Sequence, residues 1–286
     1  MYSPSVSDPM TRNLLIAFLF LSFPLFGHAQ TSESMDIVSA LFEFGHYLSV
    51  LGFFISALLF GVAVQGLART AFASVFTNIF LGTLVLFLIP IYLMLGPAFL
   101  GVSEESFHVW WHALFYLAFV LYFIGLRHMV SIGDSDTKLY YEVPNPGGAS
   151  SVVITIGILI ASFFLPRFVE GILHVYNTSV LASFGLHHFV SFALAGIVAT
   201  YLIFARQRFG VIGNAIAGPM TIAVSLFSIQ HLWELLTESW KIIELSSLYI
   251  ERVEMLFLFA ASIALVVAAW RLKTFAHPST SARTML

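Results

Sequence analysis

The chain has no cysteine among its 286 residues, and Asp, Glu, Lys and Arg together make up only 9% of it. Without cysteine there are no disulfides, Fe–S clusters, thiolate zinc sites or covalently attached c-type haem. Any metal or haem must be held by His, Glu, Asp, Met or Gln. So little charge is incompatible with an ordinary soluble domain, and no nucleic-acid partner is expected. Lysine is missing from the middle of every apolar run, Lys241 and Lys273 standing near run ends, which argues against a retinal protein. Glycine has no phosphate-loop spacing, and no catalytic signature appears in the longest polar stretch, 128–149.

What the chain does contain is hydrophobic residues at 59%, 30 of them Phe, with a mean hydropathy of +0.94. That composition predicts an all-α integral membrane protein. Arg12 precedes a short apolar run, Leu14 to Phe26, and Gly27 and Ala29 then stand at the −3 and −1 positions of a cut after Ala29. Residues 1–29 are therefore expected to be a signal peptide. A seven-helix transmembrane domain follows over 30–275, with spans near 37–65, 72–98, 107–127, 150–175, 182–205, 212–238 and 250–272. A disordered tail is expected over 276–286.

Charge asymmetry orients this bundle. With the mature N-terminus outside, eight basic residues (Arg69, Arg127, Lys138, Arg206, Arg208, Arg271, Lys273 and Arg283) fall on the cytoplasmic side, against Arg167, Lys241 and Arg252 in the outer half. That split obeys the positive-inside rule and places the C-terminus in the cytoplasm. A bacterial inner (plasma) membrane is the expected location. Besides the lipid bilayer, the expected partner is another membrane or periplasmic protein, because no soluble output domain is attached.

The functional signal is histidine. His46, His108, His112, His174, His187, His188 and His231 all map to the outer third of the expected spans, where ionisable groups are costly and tend to line a functional interior. His108 and His112 are i and i+4, with imidazoles about 40° apart on one face. Carboxylates accompany them: Glu43 is three residues before His46, Glu170 is four before His174, and His231 is followed by Glu234 and Glu238 at i+3 and i+7. Helix-borne Glu and His at such spacings hold Fe, Mn or Zn in helical bundles, and a carboxylate can instead fix an imidazole tautomer. His187 and His188 point about 100° apart on a helix, so one of them is expected to face the centre.

These observations predict a transition-metal site (Fe, Mn, Zn or Cu) built from His46, His108, His112, His188, His231, Glu43 and Glu234, used in metal handling or membrane redox chemistry. The alternative is a b-type cytochrome, with haem b held by pairs drawn from His46, His112, His187, His188 and His231. A third class is a non-catalytic membrane subunit or pH-responsive sensor. Trp110, Trp111, Trp233 and Trp240 read as an interfacial aromatic belt. Glu238 and Lys241 read as an i,i+3 ion pair, and Glu251 as a solvated charge.

Overall fold

A bilayer interior offers the backbone no water, so uncharged apolar runs satisfy their N–H and C=O groups within helices. The computed structural model describes residues 37–100, 104–134 and 185–277, apart from 69, 71 and 209, together with Gly157. Among these residues there are six long helices and no strand: α1 (Ile37–Leu67), α2 (Ala73–Leu100), α3 (Glu104–Asp134), α4 (Leu186–Arg208), α5 (Gly210–Glu234) and α6 (Ser247–Ala276). All six are long and apolar enough to cross a membrane. They coincide with six of the seven expected spans, with ends that differ by at most seven residues. The span expected at 150–175, the signal peptide at 1–29 and the tail beyond His277 lie outside the described residues.

Consecutive helices pack in chain order, α2 on α3, α3 on α4, α4 on α5 and α5 on α6. Helix α1 meets α5 through the stacked rings of Phe53 and Phe227, whose centroids are 5.9 Å apart. It meets α6 at Gly52, where an added Cβ would stand 2.5 Å from Ser262 Oγ. In lipid there is little hydrophobic drive between helices, so such close approaches through small residues and buried hydrogen bonds do the holding. The pair Thr83 Oγ1 and Tyr122 OH, 2.8 Å apart and fully buried, ties α2 to α3 in this way. The large apolar side chains that remain exposed, among them Ile203, Phe204, Ile222, Leu256 and Ile263, form the surface that lipid would cover.

Helix direction decides which residues share an end. Helices α1, α3, α4 and α6 begin, and α2 and α5 finish, at the end that carries His46, His112, His188 and His231; Arg127, Arg206, Arg271 and Lys273 gather at the other. Helix α5 does not stop cleanly. It widens into a π turn over Leu235–Ser239, with Trp240 N–H donating to the Leu235 carbonyl at 2.9 Å. At the far end α6 runs on to Ala276, and a ring nitrogen of His277 lies 3.2 Å from the Val62 carbonyl. The first residues assigned to the tail therefore belong to the bundle.

Candidate metal centre

Three helices deliver one imidazole each to a common point. His112 comes from the start of α3, His188 from the start of α4 and His231 from the end of α5, and they are 0%, 2% and 0% exposed. One nitrogen from each lies within 4.8 Å of the other two. Nitrogens bound to a single ion at about 2.1 Å sit about 3.4 Å apart, so ring movements of about 1 Å would close the set around a metal.

The local sequence explains this aim. Glu234, 3% exposed, stands one turn beyond His231, and its Oε2 accepts from His231 Nδ1 at 2.7 Å and from His188 Nδ1 at 2.8 Å. A carboxylate only accepts, so each Nδ1 carries the hydrogen and the lone pair of each ring is left on Nε2. Gln230, one turn earlier on the same face, donates from Nε2 to Glu234 Oε1 at 3.0 Å. This chain of amide, carboxylate and two imidazoles is the arrangement that orients metal-binding histidines and raises their basicity. His112 Nδ1 lies 3.2 Å from Ser191 Oγ, which α4 presents three residues after His188. His231 Nε2 is buried and has no hydrogen-bond partner, an orphan that a metal ion would satisfy.

Aromatic rings wall the triad. Trp111 stacks on His112 with centroids 4.1 Å apart, and Phe115 meets His231 edge-on at 4.9 Å. Phe119 and Phe227 continue the aromatic packing beneath them. Trp111 is thus a packed wall of the site and not part of an interfacial belt; Trp240, half exposed, fits the belt reading better.

The other expected ligands are distributed as follows. His46 lies outside the triad and lines an adjoining cavity, with Nδ1 buried and unpartnered. Of the adjacent pair, His188 joins the triad and His187 does not, in line with their 100° offset; the half-buried His187 ring lies 4.0 Å from that of His188 and 4.7 Å from that of His112 on the neighbouring helix, both centroid to centroid. Glu234 faces Nδ1 atoms, the position of a group that orients ligands. The side chains of Glu43 and His108, and all of Glu170 and His174, lie outside the described residues. Glu238 departs from the α-helical extrapolation because the π turn inserts an extra residue, and its Oε2 stands 3.7 Å from His188 Nε2. Ser191 and Gln230 were missed by sequence reading. The available signal was their spacing, three residues after His188 and four before Glu234.

A haem held between His188 and His231 would meet the ring of His112. The His188 and His231 rings are 6.4 Å apart, yet the His112 ring stands 4.7 and 5.3 Å from them, inside the radius a macrocycle would need. The carboxylate of Glu234 bridges the same pair. Comparison with protein-family models, curated proteins and solved structures gives no match. The functional reading therefore rests on the site alone.

Proposed function

We infer that the protein is a membrane metalloprotein in which His112, His188 and His231 hold one transition-metal ion near the outer surface of the bundle. One observation carries this reading: three fully buried imidazoles from three helices converge while a single carboxylate fixes the tautomer of two of them. Burying one polar ring in a membrane bundle is costly unless it is satisfied, and burying three at one point multiplies that cost. A bound ion offsets it.

An all-imidazole set suits Zn, Fe or Cu better than Mn, which prefers oxygen donors. Three protein ligands leave a coordination position open, the pattern of a centre that acts on something else. The ion would supply Lewis acidity or, if redox-active, an electron. Glu238 stands at the His188 Nε2 side, where a carboxylate can accept a proton from a group brought to the site. Metal-dependent chemistry fits better than metal transport, because Phe115, Phe119 and Phe227 beneath the triad are apolar and a transported ion would need polar groups there.

The clustering of Arg127, Arg206, Arg271 and Lys273 opposite the histidines supports a periplasmic-facing site in a bacterial inner membrane. The exposed apolar residues Ile242, Leu245, Leu248 and Tyr249, at the histidine end, are suited to the membrane interface or to a membrane or periplasmic partner. The test is ligand substitution. His188→Ala should abolish stoichiometric metal in the purified protein while His128→Ala retains it; equal occupancy in both would defeat the assignment.

A further inference from the structure

Beside the triad lies a cavity of about 550 Å³, within the range that takes a drug-sized organic ligand. Its lining changes character along the helices. Val50 and Phe53 on α1, Leu86 on α2 and Leu258 on α6 form its deeper, apolar part. Nearer the histidine end of the same helices and of α5 stand His46, Gln230, Glu234, Glu238, Glu251 and Glu254. No lysine or arginine is among the described residues that line it.

Two of the unfilled positions here are acceptor oxygens. Gln230 is 2% exposed, and with its Nε2 donated to Glu234 its Oε1 is left buried without a hydrogen-bond partner. Glu254 Oε1 is also buried and unpartnered, as is His46 Nδ1, which accepts or donates according to its tautomer. Glu234, Glu238, Glu251 and Glu254 line this one cavity, and carboxylates that share a cavity repel one another; a cation among them relieves that repulsion. A second metal ion is a poor fit, because among the described residues the histidine triad is the group close enough to hold one. Acceptors spread around a cavity with an apolar floor match a larger cation that carries several N–H donors and a hydrocarbon chain.

We propose that this cavity binds a long-chain alkylammonium, its –NH₃⁺ group donating to Gln230 Oε1 and the Glu254 carboxylate and its chain lying along Val50, Phe53, Leu86 and Leu258. An ammonium has three donors and no acceptor, which is what this set of groups requires. The cavity shares Gln230 and Glu234 with the surroundings of the triad, but the groups that would hold the ammonium, Gln230 Oε1 and Glu254, are not ligands of the proposed metal.

The test uses the full chain in phosphatidylcholine nanodiscs and a tetradecylammonium probe bearing a diazirine near its chain end. After irradiation, labelled peptides are mapped by mass spectrometry, with tetradecylamine, tetradecanol and tetradecanoate as competitors. Saturable labelling near Val50, Leu86 and Leu258 is expected, displaced by the amine at least about tenfold more effectively than by the alcohol or the acid. Glu254→Gln should raise the half-saturating concentration about tenfold, the value of one charge-assisted hydrogen bond. Leu258→Trp, which fills the floor, should abolish labelling while thermal unfolding stays cooperative. Gln230→Leu replaces Glu254→Gln if the latter does not fold. Equal competition by the alcohol, labelling that does not saturate, or an unchanged curve for the charge variant would overturn the proposal. Metal content is measured on the same samples before and after chelation, so an empty triad with intact labelling counts against the metal alone, and a filled triad without labelling counts against the cavity alone.

Discussion

At the scale of single residues, Glu234 separates a metal centre from ordinary buried packing. Its Oε2 holds two Nδ1 atoms at once, so Glu234→Gln keeps the shape and an accepting oxygen but removes the charge that makes both imidazoles better donors. Metal affinity should fall about 10- to 100-fold, read by competition with a chromophoric chelator, with stoichiometry preserved at saturating metal. A variant that binds metal as tightly as the parent would show that the carboxylate plays no part in metal binding. His46→Ala provides the contrast, because His46 faces the cavity and not the triad; it should leave metal stoichiometry at the parent value. Protons compete with metal for imidazole, so bound metal should also be released on acidification, checked by metal analysis after buffer exchange.

At the scale of elements, the site depends on how closely the helices approach. A Cβ at Gly82 would stand 2.6 Å from the Tyr122 ring and 2.9 Å from the Ala118 carbonyl, and one at Gly125 would stand 2.8 Å from the Val75 carbonyl. Backbone cannot rotate out of the way as a side chain can, so Gly82→Ala should cost about 1–3 kcal/mol through separation of α2 from α3, measured as a lowered thermal midpoint in detergent. Gly185 holds φ +62 just before His187 and His188, and a Cβ there would meet Ser239 Oγ at 2.4 Å. Gly185→Ala should therefore weaken metal binding by misplacing the start of α4, an effect that Gly82→Ala at the far side of α3 should not reproduce. Sequence periodicity showed that His231 and Glu234 share a face, since an i,i+3 pair needs only a regular turn. It could not show where Glu238 points, because the π turn breaks the 3.6-residue repeat between the two. Nor could it rank His46 below His188: which of several histidines at one depth meet depends on helix rotation and crossing, and spacing within a helix carries neither.

At the scale of the molecule, the membrane class and six spans were legible because a run of apolar residues this long has few other soluble or folded outcomes. The apolar floor beneath the histidines was less legible, since Phe115, Phe119 and Phe227 look in sequence like any lipid-facing phenylalanine, yet all three are buried. Orientation rests on the basic residues at one end, so a C-terminal reporter that is active only in the cytoplasm is expected, and a fusion active only in the periplasm would reverse the topology and place the triad on the inner face. The central claim is that three imidazoles hold one ion. Its most direct measurement is metal analysis of gently extracted protein combined with X-ray absorption at the edge of the metal found. One ion per chain is expected, with three imidazole nitrogens at about 2.0–2.1 Å if the ion is zinc, and with occupancy lost in His112→Ala, His188→Ala and His231→Ala. Protein that carries no stoichiometric metal and takes up none on titration with Zn(II), Fe(II) or Cu(II), or a metal whose absorption spectrum shows no imidazole scattering, would contradict it.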